Sequence, residues 1–199
     1  SVAGKLVVHN SISTISDYAF AHCESLTGVV IPETTVSVGE YLFYYCTNLE
    51  SIEVSGSNSK YHAQDNCLIE TSSNTLIAGC KNSKIPSTVT AIGVAAFYGC
   101  SGLKNIDIPS SVSTIGYSAF AFCAGLTNVT ILNSGATIGN WAFQGCAELA
   151  YVSAKPNSIG TGAFADCDNV LIYDFTGCTA VPTLGTQAFT SINPECKIG

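Results

Sequence analysis

Phenylalanine and cysteine recur in this chain at a shared interval. Phe20, Phe43, Phe97, Phe120, Phe143, Phe164 and Phe189 each follow a small or apolar residue, and all but the last are followed three residues on by Cys23, Cys46, Cys100, Cys123, Cys146 and Cys167. Those cysteines lie 23, 54, 23, 23 and 21 residues apart. A fixed interval of this size constrains the fold more than any composition does. A unit of ~23 residues cannot bury an apolar face alone, so successive units must stack.

The cleanest unit runs from Leu103 to Cys123 and reads LxxIxIPxxVxxIGxxAFxxC. Ile106 and Ile108 alternate with Asn105 and Asp107, the period-two pattern of a strand with one buried face. Pro109 stops that strand, because it lacks an N–H and fixes φ. Val112 and Ile115 form a second extended stretch, and Gly116 is expected to permit a corner. The spacing of Phe120 and Cys123 predicts a short helical turn with both side chains on one inward face. Leu26, Leu49, Leu103, Leu126 and Leu149 open their units, and Gly39, Gly93, Gly116, Gly139 and Gly160 hold the glycine position. The chain therefore reads as one domain over 1–199, a solenoid of seven units with strands of adjacent units paired in parallel.

Two departures interrupt the period. Between Cys46 and Cys100 an insertion of about 31 residues occupies roughly 55–83. Cys67–Thr71 and Thr75–Cys80 flank the polar Ser72-Ser73-Asn74, which predicts a β-hairpin with Tyr61 and His62 at its edge. Cys67 and Cys80 lie at its open end, where a bridge is conceivable and two free thiols are the favoured reading. The unit from Leu149 is two residues short between Ala154 and Gly160, and the chain closes on a final strand near Cys196-Lys-Ile198.

Composition excludes several classes of function. Only 11% of residues are charged, net charge is −7, and the basic residues number 7. An acidic chain this poor in cations is a poor partner for nucleic acid or an anionic membrane, and no apolar run approaches a ~20-residue span. With Ser at its start and no Met, the chain reads as a processed piece of a longer protein.

No chemistry-bearing set stands out. There is no CxxC to start a zinc or redox site, and the repeat cysteines read as a column of small buried hydrophobes, so neither metal nor cofactor is expected. His9, His22 and His62 lack a motif. A His22–Cys23 pair is disfavoured because neighbours on a helical turn face different ways. Glu53 and Asp107 are expected on neighbouring rungs, as part of a mildly acidic surface and not as a catalytic carboxylate pair.

The LxxIxIPxxVxxIGxxAFxxC pattern resembles the BspA-type leucine-rich repeat of bacterial and some protozoan surface proteins. The resemblance covers nearly the whole chain. It implies an α/β solenoid: a right-handed superhelix with a parallel sheet on the concave face, short helical turns on the convex face, and the hairpin as its one insertion. It also implies a non-enzymatic, monomeric adhesion or interaction module, exported to the bacterial surface, that binds a protein or glycoprotein, host proteins included. The alternatives are a structural spacer and an accessory module of a larger secreted enzyme. On the concave strip, Glu53, Asn105, Asp107, Asn128, Thr130 and Tyr151 are the candidate contacts, with Tyr44, Tyr45, Tyr98, Tyr117 and Trp141 as weaker candidates on the convex side.

Overall fold

A computed structural model describes residues 4–56, 58–178, 180–190 and 193–199. The first three units contribute β1 Gly4–Val7, β2 Thr14–Ile15, β3 Leu26–Ile31, β4 Ser37–Val38 and β5 Ser51–Val54. The insertion supplies β6 Tyr61–Gln64, β7 Cys67–Glu70 and β8 Thr75–Ala78. Regular units resume with β9 Ala91–Ile92, β10 Asn105–Ile108, β11 Thr114–Ile115, β12 Asn128–Ser134 and β13 Thr137–Ile138. The last are β14 Tyr151–Lys155, β15 Ser158–Ile159, β16 Ile172–Asp174, β17 Thr183–Leu184 and β18 Lys197–Ile198.

Each regular unit thus holds an opening strand and a two-residue second strand, and the two kinds stack separately. The opening strands form one parallel sheet of β1-β3-β5 and another of β10-β12-β14-β16-β18. From β9 onward the second strands form a parallel ladder in the order β9-β11-β13-β15-β17, with Ile92, Ile115, Ile138, Ile159 and Leu184 in register. The two-residue link Pro156-Asn157 is all that separates β14 from β15. β18 pairs with β16 in parallel, as the expected closing strand.

The expected hairpin forms, with β7 antiparallel to β8. It is also larger than expected, because β6 pairs antiparallel with β7. Asp65 and Asn66, at φ 51° and 60°, make the two-residue connection. Two successive positive φ values define a type I′ turn, which suits the twist of a hairpin. The meander then joins the second-strand sheet through the parallel β8–β9 pair. Cys67 and Cys80 are both buried free thiols.

The phenylalanines stack as a column. Phe97, Phe120, Phe143, Phe164 and Phe189 follow one another at centroid distances of 4.8, 5.1, 5.2 and 5.6 Å with planes within 9° of parallel. Phe20 and Phe43 form a separate pair at 5.6 Å. Where the insertion enters, Gly79 lies against Phe97: a Cβ there would sit 2.0 Å from its ring. The core falls into two clusters, one around Val29, Leu42 and Ile52 and the other from Cys67 to Ala188, with residues of the insertion in both.

The Ala-Phe-x-x-Cys segments are arches and not helical turns; no helix occurs among the described residues. Residues two before and two after the phenylalanine take left-handed φ, as at Tyr18 and His22, Tyr41 and Tyr45, and Ser118 and Phe122. A helix sends successive N–H groups back along its own chain. In these arches alternate N–H groups leave for the next coil instead. Ser118, Phe120 and Phe122 donate to the carbonyls of Asn140, Ala142 and Gln144 at 2.7–3.0 Å, and Ala95, Phe97 and Gly99 do the same toward Tyr117, Ala119 and Ala121.

The repeat glycines have a different role from the expected corner. Gly116 and Gly139 keep ordinary φ, but a Cβ on Gly139 would lie 2.7 Å from the Ile115 carbonyl oxygen and 2.8 Å from Gly116. They are small because neighbouring backbones touch, with the Gly139 N–H donating to Ile115 O at 2.9 Å. The cysteine interval has a hydrogen-bond cause as well as a packing one. The thiols of Cys46, Cys123, Cys146 and Cys167 donate to the carbonyls of Phe20, Phe97, Phe120 and Phe143, one unit back, at 2.8–3.2 Å.

Candidate interaction site

The five-stranded sheet presents the outward positions in two registered rows. Asn105, Asn128 and Tyr151 are mutual partners across β10, β12 and β14, and Asp107, Thr130 and Ser153 form the second row. Five of the six candidate residues are therefore brought together. Asn105 and Asn128 are tied directly: Asn105 Oδ1 accepts from Asn128 Nδ2 at 2.9 Å and from Thr127 Oγ1 at 3.0 Å. Amides locked this way face a ligand with less rotamer entropy left to lose.

Glu53 stands apart, so the expected neighbourhood with Asp107 is not found. Glu53 lies on β5, in the three-stranded sheet, and the insertion separates β5 from β10. Its carboxylate accepts from Lys5 Nζ at 2.8 and 2.9 Å. That pair reaches across β3 over Gly28, where any Cβ would crowd Ser51 Oγ at 2.6 Å and the Lys5 stem at 3.2 Å.

Asp174 was not among the expected contacts, although it follows Tyr151 by 23 residues. The Tyr151 hydroxyl donates to its Oδ2 at 3.3 Å. Oδ1 accepts from the Thr176 hydroxyl at 2.6 Å and the Thr176 amide at 3.0 Å. These Thr176 bonds, followed by Tyr151 and Lys155, lower the Asp174 carboxyl from its ordinary value. Tyr151, Ile172, Asp174, Thr176, Lys197 and Ile198 line an open depression of about 370 Å³. Ile172 and Ile198 leave 41% and 59% of their surface in solvent there, so aromatic, apolar, anionic and cationic groups meet in one place.

The three histidines are engaged locally. His9 bonds Ser11 and His62 bonds Thr71, while His22 stacks on Tyr45 at 5.5 Å with planes 5° apart. Among the described residues no group of three or more His, Cys, Asp or Glu side chains could hold a metal ion. Burial pushes the Cys46 thiol up to about 11 and those of Cys67 and Cys100 up to about 12, far from a reactive thiolate.

The arches of the first coils carry a cluster of aromatics. Tyr18 stacks on Tyr41 at 4.8 Å, Tyr44 on Tyr98 at 4.6 Å, and Tyr45 meets Tyr44 edge-on at 4.8 Å. Burial, then the neighbouring Tyr18, Tyr117 and Glu40, raises the Tyr41 phenol. Tyr117 and Trp141 form a separate edge-on pair at 5.6 Å.

Stacked parallel strands, a phenylalanine column and a bonded cysteine column define a repeat solenoid of the leucine-rich class. The chain belongs to the BspA-type leucine-rich repeat family, whose model matches six copies over residues 3–78 and 69–194. No curated protein sequence matches it. Solved structures share the fold. The pneumococcal vaccine antigen PcpA is 18% identical with a TM-score of 0.64, covering 94% of this chain and 59% of that one. A leucine-rich cell surface protein from Faecalibacterium prausnitzii is 23% identical at 0.57, covering 86% and 53%. A leucine-rich repeat protein from Eubacterium ventriosum is 22% identical at 0.53, covering 95% and 64%. The chain thus spans 53–64% of the length of these three.

Proposed function

We propose that this chain is a non-enzymatic interaction module, displayed outside a bacterial cell, that binds a protein or glycoprotein through its opening-strand sheet. The observation that carries the reading is the pair of registered rows ending in the Tyr151–Asp174 depression. Asn105, Asn128, Asp107 and Thr130 give that surface exchangeable donors and acceptors, and Tyr151 with the exposed isoleucines gives it an anchor of the kind that dominates interfaces. Export to the surface is supported by family membership and by the cell-surface description of the Faecalibacterium structure.

The test is binding of the protein to an array of host matrix proteins, mucins and glycans, beside a Tyr151→Ala/Asp174→Ala variant. Saturable binding that weakens about tenfold or more in the variant fits a central contact. Absence of saturable binding by a folded sample sinks the proposal and leaves the spacer reading in its place. Binding indifferent to the variant moves the site off this sheet.

A further inference from the structure

The arches of the first coils combine two features. The first is aromatic side chains in strained backbone. Tyr18, His22, Tyr41 and Tyr45 have φ of 54–56°, a region where bulky residues are outliers and glycine or asparagine is at ease. Later units place Gly99, Gly145 and Gly162 at the equivalent arch positions, so the fold accepts glycine there. Some aromatics are explained by those glycines: Tyr45, Phe122 and Trp141 lie over Gly99, Gly145 and Gly162, within 2.6–2.9 Å of where a Cβ would stand. Tyr18 and Tyr41 have no such glycine beneath them. They stack on each other, and Tyr18 keeps 49% of its surface in water. Tyr18 also meets Tyr44 edge-on at 5.6 Å, so the rings form an aromatic cluster whose outermost member is open to water.

The second feature is charge. All seven basic residues are lysines, and every one lies outside the arches, at Lys5, Lys60, Lys81, Lys84, Lys104, Lys155 and Lys197. Lys5, Lys60 and Lys81 are already paired with Glu53, Glu70 and Glu50. The first two arches carry Asp17, Glu24 and Glu40 instead, with Asp17 Oδ1 accepting the Glu40 amide at 2.8 Å. Electron-rich ring faces beside carboxylates, with no lysine in the arches, complement a positive charge.

We propose that the arch face of the first two coils binds a lysine- or arginine-bearing segment of a partner protein. Its cation sits on the outer face of Tyr18, which Tyr41 backs by stacking, and Asp17 and Glu40 flank it. This surface is separate from the opening-strand sheet and does not depend on the role given to that sheet. A neutral glycan would also stack on tyrosines, but the carboxylates favour the cationic ligand.

The experiment titrates the intact protein into dye-labelled decalysine, an uncharged glycine–serine decapeptide and a labelled cellohexaose. Asparagine replaces tyrosine in Tyr18→Asn/Tyr41→Asn because it tolerates positive φ. Asp17→Asn/Glu40→Gln removes the flanking charge while keeping a side-chain oxygen at position 17 to accept the backbone N–H of position 40. Glu148→Gln/Asp168→Asn removes the same charge from a distant exposed site, and melting curves confirm that each variant is folded. Saturable decalysine binding is expected, weakened about tenfold in the tyrosine variant and several-fold in the Asp17/Glu40 variant, and nearly unchanged in the distant one. The proposal is overturned if decalysine fails to saturate, if the tyrosine variant binds as well as the parent, or if the distant variant loses as much. Tyrosine-dependent binding of cellohexaose in place of decalysine overturns it in favour of a glycan.

Discussion

Phe120 is fully buried and stacked on both faces, by Phe97 and Phe143. Phe120→Ala removes a rung of the column and leaves a cavity that rigid coils on either side close poorly. A loss of about 3–5 kcal/mol in denaturant unfolding is expected. The thiol column predicts a pH effect of definite sign. Burial raises Cys46 from 9.0 to about 11, and Cys67 and Cys100 from 9.0 to about 12. The unfolded chain releases these protons near pH 9 while the folded chain keeps them. Their stabilisation is therefore complete below pH 9 and lost as pH climbs toward 11–12. Unfolding free energies measured from pH 8 to 11 should fall across that window, and a flat profile would show that these thiols titrate normally in the fold. Thiol labelling at pH 8 should be fast at exposed Cys23, slower at half-buried Cys178 and Cys196, and limited by unfolding at the seven buried cysteines.

The arch is the element whose conformation the pattern concealed. Ala-Phe-x-x-Cys has the spacing of a helical turn, and side-chain spacing reports only which residues share a face. It does not report where the N–H groups go. The information lay in residues two either side of each phenylalanine, where Gly99, Gly145 and Gly162 alternate with aromatics. Single glycines in a varying column are weak evidence from one chain. β6 was missed for a related reason: Tyr61–Gln64 is short and mixed in polarity, and its clearest mark is the Asp65-Asn66 turn. By contrast, the opening strands and the β7–β8 hairpin were legible, because period two and a polar turn bear directly on them. The glycine position tests the same distinction. Gly139 has no left-handed φ to protect, so Gly139→Ala acts through contact with the Ile115 and Gly116 backbone alone. A cost of about 1–3 kcal/mol is expected from overpacking, seen as a lower thermal midpoint, whereas a corner glycine of ordinary φ would accept alanine freely.

Across the whole molecule the insertion decides how the core is partitioned. Cys46 and Cys100 are 54 residues apart where the neighbouring intervals are 23. Joining Val54 to Pro86 by deleting 55–85 restores the interval and writes Val-Pro-Ser-Thr-Val where the neighbouring unit has Ile108-Pro-Ser-Ser-Val112. The shortened chain should fold with Phe43 stacked on Phe97 and one continuous core. Hydrogen exchange then distinguishes the two forms: the parent should open its first three coils separately from the rest, and the deletion variant should protect both regions alike. The candidate contact strip depends on this partition, since the insertion carries Glu53 away from Asp107. Repeat arithmetic predicted the Asn105–Asn128–Tyr151 row because it follows the 23-residue interval. It misplaced Glu53 beside Asp107 because an insertion of unknown path has no register.

The arch bonds also give the molecule a direction. Within each block of regular coils, as from Ser118, Phe120 and Phe122 to Asn140, Ala142 and Gln144, the N–H points toward the later coil and the carbonyl toward the earlier one. Peptide dipoles of ~3.5 D aligned in this way add along the stack as they do in a helix. The arch side of the solenoid is therefore electrically negative toward its first coils and positive toward its last. Copies meeting side by side through their arches would be driven to lie antiparallel, and a cation approaching Tyr18 and Tyr41 arrives at the negative pole.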